Sequence, residues 1–459
     1  MKITVLAAVL LLLALRSSTN NVMYLQLAAC LLGSFAAVTF TALGGAAIPP
    51  GLMLVPVVFW RTVREQGGVS AVFARLPRSV VWLLALAVWG AVGAVVLPRM
   101  FAGDIMVMKP TRGEGVTLVK LVPSSGNITQ TAYAIGNVVV FLAFRGLIVS
   151  KQRLVIAKKA VLLLAGLMVG AGLLNLAEYH LHLPSILEST RTMAGVNDMY
   201  AASGFVRIQG TFAEASAYAT SMVPLFAFSL NLWIHDRTER VAAVIAIIGA
   251  LLLVISTSGT AYASLCLYLP LFALRLSPRL LNFSRWPVPI ATLAGMVVTL
   301  VGLMILAWTL ELGFTKSIDE LLERTFFGKI DSDSGEERGS WNMAAIMAFL
   351  HSYGFGVGLG STYASSYALV IASNLGLPGI IIYGGFLLSV YRRLKNPQAV
   401  EASPVLAARQ CLLVNLIASS ISGTVFNIGP QIYIYAAIAS IEPEHLASAP
   451  VQVRKHAAA

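Results

Sequence analysis

The stretch SVVWLLALAVWGAVGAVVLP (79–98) decides the fold class, because it continues for twenty residues without a charged side chain. An α-helix rises about 1.5 Å per residue, so about 20 apolar residues cross a hydrocarbon core about 30 Å thick. Comparable stretches recur along the whole chain, and the alternation expected of a membrane β-barrel strand is missing from the sequence. The sequence therefore predicts an all-α, polytopic helical membrane protein, with residues 1–459 as a single integral membrane domain.

The composition supports the same class of protein. Of the 459 residues, 58% are hydrophobic and 11% are charged, and the mean hydropathy is +0.81. A soluble domain carries about 25% charged residues. This balance excludes a soluble globular enzyme, a disordered chain and a nucleic-acid-binding module, and it makes the lipid bilayer the first expected partner.

The apolar segments predict about 12 transmembrane helices. The third segment is interrupted by Pro49-Pro50-Gly51, which favours a short or re-entrant helix there. The first segment is interpreted as an uncleaved span, since no A-x-A-like cleavage site precedes Arg16. The segments lie at about 3–15, 22–44, 46–60, 79–98, 131–149, 160–178, 214–233, 241–256, 260–275, 288–311, 367–391, 410–427 and 430–441.

Basic residues are concentrated in alternate loops of this predicted topology. Six segments hold 20 of the 32 Lys and Arg residues but only 6 of the 20 Asp and Glu residues. The positive-inside rule assigns such segments to the cytoplasm, so the net charge of +12 indicates topology, and no nucleic-acid partner is expected. The six segments are 61–78, 145–159, 234–240, 275–285, 392–409 and 442–459.

In the predicted topology, the polar loops lie outside the cytoplasm, on the side of the membrane opposite the basic segments. The largest of them precedes the final spans and holds eight of the 20 acidic residues. Its Trp341, Ile346, Phe349 and Leu350 suit an amphipathic helix that lies at the membrane surface. The three outside loops span residues 99–130, 179–213 and 311–366.

Arg207, in GFVRIQGTFAEASAYAT (204–220), is the first candidate site residue. It lies a few residues outside a predicted span, where a guanidinium can hold a phosphate through two parallel hydrogen bonds. The alternative is an interfacial arginine that merely extends its head group to the membrane surface. We predict a phosphate-binding role, because glycines flank Arg207 and Glu214 lies nearby.

Glu214 has two interpretations. Thr211-Phe-Ala-Glu214 fits a capping box, in which Thr211 caps a helix and Glu214 reaches back to the amide of Thr211. In the functional interpretation, its carboxylate lies at the mouth of the site and accepts a proton from a sugar hydroxyl. The two roles can alternate, so Glu214 is the candidate catalytic residue.

Arg338 opens RGSWNMAAIMAFLHSYGFGVGLGSTY (338–363). Just ahead of a helix N-terminus, an arginine and the helix dipole together favour an anionic group. The alternative for Arg338 is an ion pair with Glu336 or Glu337. Arg324 is a weaker pyrophosphate-binding candidate, because Glu320 lies four residues before it and forms an ordinary helix pair with it.

The alternating glycines of Gly354–Gly360 do not fit a dinucleotide fingerprint. Their backbone amides would be able to approach a phosphate, although a turn through which the chain re-enters the membrane explains them equally well. No metal site and no cofactor are predicted, since Cys30, Cys266 and Cys411 are scattered along the chain.

Three passages, taken in this order, resemble the bacterial O-antigen ligase and polysaccharide polymerase superfamily over about residues 60–440. Each motif is short, and the order and spacing carry the resemblance. The passages are RIQGTFAEASAYAT (207–220), STSGTAY (256–262), and RGSWNMAAIMAFLHSYGFGVGLGS (338–361) followed by SNLGLPGIIIYGG (373–385).

The resemblance implies an inverting, metal-independent glycosyl transfer at the periplasmic face of a bacterial inner membrane. The donor would be a glycan on undecaprenyl pyrophosphate, and Arg207 and Arg338 match positions expected to bind the pyrophosphate. An acceptor hydroxyl would attack the anomeric carbon while a base such as Glu214 takes its proton.

The chain departs from the ligases of this family at one point. These carry a histidine–asparagine pair shortly before the last glycine-rich span, where this chain has Ser365 and Ser366. We therefore favour a polymerase of lipid-linked repeat units, with a chain-length regulator as a candidate partner. The alternatives are a ligase that transfers glycan to lipid A core and a flippase for a lipid-linked oligosaccharide. A flippase would be expected to show buried midplane charges or paired broken helices.

Overall fold

The protein is described from a computed structural model, in which helices predominate. The helices in the described part of the chain carry the labels α1–α15 in chain order. The structure describes residues 2–40, 46–74, 76–111, 115–193, 206–280, 288, 290–292, 294–295, 333–392, 394 and 399–446. The helices are α1 (Val5–Arg16), α2 (Thr19–Ala29), α3 (Pro50–Met53), α4 (Val55–Gln66), α5 (Val69–Ala74), α6 (Arg78–Met100), α7 (Ser125–Leu147), α8 (Lys151–His180), α9 (Ala215–His235), α10 (Arg240–Ile255), α11 (Gly259–Leu280), α12 (Asp333–His351), α13 (Tyr367–Val390), α14 (Ser403–Ser422) and α15 (Gln431–Ala439).

Six helices within the described residues are long and apolar enough to cross a membrane. They are α6, α7, α8, α9, α13 and the helical stretch Val400–Ser422 that contains α14. On α6, Val81, Val88, Val92 and Val95 are exposed. Their spacing places them on one face of the helix, as expected for contact with lipid. The prediction of a helical membrane protein is thus confirmed, whereas the total of about 12 spans stays a prediction.

The longest helices begin where the sequence supplies caps. The Ser150 side chain accepts a hydrogen bond from the Arg153 amide at 3.3 Å and so starts α8. As a result, the basic stretch 151–159, predicted as a loop, forms the first turns of α8. At the start of α7, the Ser124 amide donates to Asn127 Oδ1 at 2.8 Å. Because α7 therefore begins at Ser125, the helix extends six residues beyond the start of its predicted span.

The prediction of an all-α fold is wrong in detail, because two small antiparallel sheets are present. The first has three strands, β1 (Lys2–Ile3), β2 (Val38–Phe40) and β3 (Ala46–Ile48), in the order β1-β2-β3. The second is a hairpin of β4 (Met106–Thr111) and β5 (Gly115–Lys120), in which Met106 pairs with Lys120. The hairpin lies within the loop predicted at 99–130, where β-branched residues alternate with polar ones.

The predicted span at 22–44 is also wrong. Helix α2 ends at Ala29, a 3₁₀ turn covers Cys30–Leu32, and β2 follows. Gly33 and the β-branched Val38 and Thr39 explain the change, since all three are poor helix formers. The interruption predicted at Pro49-Pro50-Gly51 is present, because only the four-residue α3 separates β3 from the start of α4 at Val55.

Contacts between helix ends define two ends of the bundle. At the ion-pair end, Arg153 pairs with Glu65 at 2.7 Å, and Lys151 pairs with Glu401 at 2.8 Å. Lys158 also pairs with Glu239 there, as does Arg392 with Glu442. These pairs join five of the six predicted basic segments, and the side chains of the sixth, 275–285, lie outside the described residues.

The other end, the cavity end, contains the last turns of α6, α8 and α14 and the first turns of α7 and α9. Side-chain hydrogen bonds connect these elements. Asn127 Nδ2 donates to Leu359 O and Ser361 Oγ, both at 2.8 Å, and Gln130 Oε1 accepts from the Asn427 amide at 3.2 Å. The bundle therefore places the predicted outside loops 99–130 and 179–213, where described, on the side opposite the basic segments.

Candidate functional site

A cavity of about 460 Å³ lies at the cavity end of the bundle. Its wall combines the turn after α2, the Pro49–Gly51 break, the first turns of α7 and α9 and the segment 423–431 after α14. With Met193, the lining residues come from six separate regions of the sequence, so the cavity exists only in the folded chain. Its volume is of the size that holds a small-molecule ligand.

The wall of this cavity is polar but almost uncharged. Among the described residues that line it, Glu214 has the one charged side chain. Tyr133 and Phe212 add aromatic surface, and Tyr133 is fixed by a 2.7 Å hydrogen bond from its hydroxyl to Ala47 O. Hydroxyl and amide groups can donate and accept hydrogen bonds, as recognition of a polyol requires. The hydroxyl and amide side chains are Ser34, Ser216, Thr220, Ser221, Ser419, Ser422, Thr424, Gln130, Asn427 and Gln431.

Glu214 occupies the N-cap position of α9, and its side chain is exposed. The Ser216 hydroxyl donates to Glu214 Oε2 at 2.8 Å. The predicted capping box is wrong, because α9 begins after Glu214, and the Thr211 hydroxyl donates to Leu31 O at 2.5 Å. The carboxylate is therefore directed to the cavity and its own helix start, not back to Thr211.

The segment Gly423–Pro430 shapes another part of the wall. It has no helical hydrogen bonding of its own and separates α14 from the nine-residue α15. Non-helical backbone at membrane depth is tolerated where it is buried in protein or lines a water-filled space. The predicted span 410–427 is displaced, because α14 covers Ser403–Ser422, whereas α15 lies within the predicted span 430–441. Residues between the two helices line the cavity.

The chain between Arg207 and Glu214 is held in place by a buried polar cluster. Asn175 Oδ1 accepts hydrogen bonds from the amides of Gln209 and Gly210 at 2.8 and 3.1 Å. The buried Arg191 guanidinium donates to Gly210 O at 2.6 Å and to Gln209 Oε1 at 2.9 Å. Sequence reasoning missed this cluster, although the polar Asn175 in an apolar helix was a usable signal.

The charge of Arg191 is part of this cluster. Burial lowers the pKa of the Arg191 guanidinium, while the nearby carboxylates of Glu178 and Glu188 raise it. An arginine remains protonated in proteins. A permanent cation therefore donates the hydrogen bonds to the Gly210 carbonyl and the Gln209 amide oxygen. The cluster thus fixes the backbone that leads into α9.

Of the predicted arginines, Arg207 is half-buried between the buried side chains of Val206 and Ile208. Arg338 is half-buried on α12, which packs against α13 and β4. Neither Arg207 nor Arg338 is among the lining residues of the cavity. Arg324 lies outside the described residues, as do 194–205 and residues 311–332 of the predicted loop 311–366.

The predicted surroundings of Arg338 are wrong in two respects. Helix α12 begins at Asp333, so Arg338 lies within the helix and not ahead of its N-terminus. Within the described part of α12, Arg338 also makes no ion pair with Glu336 or Glu337. The helix N-terminus therefore does not assist this guanidinium.

The glycine-rich turn is not a phosphate cradle. The amides of Gly356, Val357 and Gly358 donate to Ser352 Oγ, Ser373 O and Asn374 O. Because these donors are already used, they cannot coordinate an anion. Gly358 has a φ of +94°, and a Cβ there would lie 2.7 Å from Gly93 O. The glycines therefore allow close packing of a turn that leads back into α13.

Helix α13 is interrupted at Gly376, which has a φ of +66° and a ψ of −167°. A break of this kind leaves backbone carbonyl and amide groups without helical partners, and the groups on both sides of Gly376 form hydrogen bonds elsewhere in the protein. Trp89 Nε1 donates to Leu375 O at 2.7 Å, and the Leu377 amide donates to Gly354 O at 2.8 Å. A broken helix is a feature expected of transporters, but this break offers no free backbone group at these positions to a substrate.

No known protein-family model matches the chain, and no curated protein is found as a relative of it. The resemblance of the three passages to the O-antigen ligase and polymerase superfamily therefore stays a prediction.

Proposed function

We propose that the protein is a membrane glycosyltransferase that polymerises polysaccharide repeat units carried on undecaprenyl pyrophosphate. In this proposal the chain crosses a bacterial inner membrane about 12 times. The ion-pair end faces the cytoplasm, because the basic segments gather there. The cavity end faces the periplasm.

The observation that carries the proposal is a cavity with neutral hydroxyl and amide walls and the Glu214 carboxylate. Such walls match the hydroxyls of a sugar, and the rings of Tyr133 and Phe212 offer apolar surface to its C–H faces. A carboxylate within reach of a sugar hydroxyl can act as a general base. The combination favours transfer to a sugar over binding of an ion.

The reaction is a single displacement. An acceptor hydroxyl oxygen attacks the anomeric carbon of the donor, and the bond from that carbon to the pyrophosphate oxygen breaks. The hydroxyl proton passes to the Glu214 carboxylate, and the electron pair of the broken bond leaves with the pyrophosphate. Attack opposite the leaving group inverts the anomeric configuration, and no metal is needed for the proton transfer.

The departing pyrophosphate requires localised positive charge beside the bilayer. In the proposal Arg207 and Arg338 supply it, with Arg324 as a further candidate. Arg207 precedes Glu214 in one segment that Asn175 and Arg191 hold in place. This arrangement supports a base and a leaving-group cation on one fixed piece of backbone.

The identity of the residues just before α13 favours polymerisation over ligation to lipid A core. Ser365 and Ser366 stand where ligases of the resembling family carry histidine and asparagine, and the Ser365 amide is bound to Asn342 Oδ1 at 2.8 Å. Both activities would use the same displacement. A chain-length regulator is the partner that a polymerase would require.

The test is reconstitution of the full chain in lipid vesicles. Lipid-linked repeat units extracted from a strain without the gene serve as substrate, and chain growth is measured on gels. Glu214→Gln is expected to lower the rate by about 10²–10⁴-fold, the usual contribution of a general base. Arg207→Ala and Arg338→Ala are each expected to lower it by about 10²–10³-fold, because the leaving group loses its cation.

Matched controls are Glu337→Gln, which removes an exposed carboxylate from α12, and Arg99→Ala, which removes an exposed guanidinium that donates to Val95 O. Both are expected to retain chain growth. Full activity of Glu214→Gln would contradict the proposal. Transfer to purified lipid A core without chain growth would indicate the ligase, and translocation of the carrier lipid without any transfer would indicate the flippase.

A further inference from the structure

The turn Leu31–Ala36, here called the N-terminal turn, is bound directly to the segment that carries Glu214. The Thr211 hydroxyl donates to Leu31 O at 2.5 Å, and Ser34 Oγ accepts from the Ala213 amide at 3.2 Å. These two bonds hold the chain on the N-terminal side of Glu214. The backbone there has no helix of its own, since α9 begins at Ala215.

Two further bonds tie the same turn to the preceding outside segment. The Met193 amide donates to Ser34 O at 2.9 Å, and the Ala36 amide donates to Thr192 Oγ1 at 2.8 Å. Thr192 follows Arg191, whose guanidinium holds Gly210. The N-terminal turn thus closes a hydrogen-bonded frame around the chain that leads to Glu214.

The turn also forms part of the cavity wall. Gly33 and Ser34 line it next to Phe212. A Cβ on Gly33 would lie 2.9 Å from Cε1 of Phe212, so the absence of a side chain at Gly33 determines where that ring lies. Gly33 itself has helical backbone angles, with a φ of −63°. An alanine at this position would therefore fit the backbone and disturb only the ring.

We propose that the N-terminal turn is a positioning element of the site, in which Ser34 sets the Glu214 carboxylate through the Ala213 amide and Gly33 sets the Phe212 wall. The inference rests on the proposed function and extends it to residues before 60, outside the stretch that resembles known families. The hydroxyl of Ser34 touches no reacting atom in this scheme. It acts through the backbone next to the base.

The first test compares Ser34→Ala with Ser34→Thr in the full chain, with extracted lipid-linked repeat units as substrate. Ser34→Ala removes the acceptor of the Ala213 amide, and a displaced base is expected to lower kcat by roughly tenfold to a hundredfold with little change in KM. Ser34→Thr keeps a hydroxyl and is expected to restore most of kcat. Ser189→Ala, which removes an exposed serine hydroxyl bound only to Ile186 O, is the matched control.

The second test uses Gly33→Ala, which leaves the Ser34 hydroxyl in place. The added methyl group moves the Phe212 ring towards the cavity, so KM is expected to rise by roughly tenfold while kcat changes less. A split of this kind, with kcat lowered in one variant and KM raised in its neighbour, is not expected from a general loss of folding.

Amide hydrogen exchange supplies a readout that needs no activity. In Ser34→Ala, exchange at Ala213 is expected to accelerate at least tenfold, because the amide loses its acceptor. Unchanged exchange together with unchanged kcat would overturn the inference and leave the proposed function intact. Failure of the wild type to extend chains would overturn the proposed function, and the exchange result would still decide whether Ser34 holds the segment. If Ser34→Ala does not fold, normal kcat in a folded Thr211→Val variant and normal KM in Gly33→Ala would overturn the inference.

Discussion

The two ends of the bundle are held together by different interactions. At the ion-pair end, charged side chains from different helices meet, as in the pair Arg153–Glu65 at 2.7 Å. At the cavity end, neutral groups connect the helices, as in the hydrogen bond between Thr220 and Ser422 hydroxyls at 2.8 Å. Among the described residues, ion pairs therefore connect helices at one end, whereas hydroxyl, amide and backbone groups, together with the buried Arg191 guanidinium, connect segments at the other.

The two ends also differ in where their charged side chains lie. At the ion-pair end, four carboxylates each pair with a basic side chain from another segment, and these pairs connect the helices there. At the cavity end, Glu214 carries the one charged side chain among the described residues that line the cavity.

Of the variants that test the two ends, Gly360→Ala at the cavity end is expected to cause the largest loss in the free energy of unfolding. Gly360 has a φ of +79°, and an added Cβ would lie 2.3 Å from Gly126 O, a backbone atom at the start of α7. Because backbone cannot move aside as a flexible side chain can, we expect a loss of more than about 3 kcal/mol in the free energy of unfolding. Thermal unfolding in detergent measures it.

The control for Gly360→Ala is Gly103→Ala. Gly103 has a φ of +83°, but no atom lies within 4 Å of an added Cβ. Only the backbone strain remains there, worth about 1–2 kcal/mol. Equal losses in the two variants would show that the close approach of the turn to α7 does not stabilise the cavity end.

An intermediate effect is expected from Glu65→Gln at the ion-pair end. The side chains of Arg153 and Glu65 are only 19% and 17% exposed, so the variant leaves a mostly buried guanidinium without its carboxylate. We expect a loss of about 2 kcal/mol in unfolding free energy, below the 3–5 kcal/mol of a fully buried pair. The rate of glycosyl transfer per folded molecule is expected to stay unchanged, which chain-growth assays measure.

Glu401→Gln is the matched control for the same end. Lys151 and Glu401 are 36% and 56% exposed, and an exposed pair contributes about 0–1 kcal/mol. A transfer rate that falls in Glu65→Gln while the protein stays folded would contradict the division of roles between the two ends.

Much of the helical frame was predictable because its signals are local. Helices α6 and α9 lie within two residues of their predicted spans, since an uninterrupted apolar run is bounded by charged residues or turns. The start of α13 at Tyr367 was predicted for the same reason. Local signals of this kind need no knowledge of distant parts of the chain.

The N-terminal region was not predictable in the same way. Strand β2 pairs on both sides: Val38 and Thr39 pair with Ile3 and Lys2, residues more than thirty positions away, and β2 also pairs with the nearby β3. An apolar sequence such as 22–44 suits a helix or a strand, and only the pairing partner decides between them. The span prediction at 22–44 therefore failed because strand pairing cannot be inferred from that segment alone.

The candidate site was predictable only in part. Glu214 was identified because it lies at the boundary of an apolar run next to glycine and threonine. Gln130, Asn427 and Ser34 were missed, since each is an ordinary polar residue in its own segment. Their common role arises from the packing of α2, α7 and α14 around the start of α9.

The smallest effect is expected at the ion-pair end, from Thr238→Val in the loop after α9. Asp236 Oδ1 accepts hydrogen bonds from the Thr238 hydroxyl at 2.6 Å and from its amide at 2.9 Å, and these bonds hold the pKa of Asp236 below its usual range. A depressed carboxyl pKa stabilises the folded state above the unfolded pKa of about 3.9, and this stabilisation is lost as the pH falls through the folded pKa.

The difference in Tm between the wild type and Thr238→Val is therefore expected to be full at pH 7 and to shrink below about pH 4. Thr238→Ser, which keeps the hydroxyl donor, is expected to follow the wild type at both pH values. Because Asp236 lies in water-accessible surroundings, the change remains smaller than that of Glu65→Gln. A difference in Tm that stays constant across this pH range would show that the methyl group that valine puts in place of the hydroxyl, and not the charge of Asp236, changes the stability of this loop.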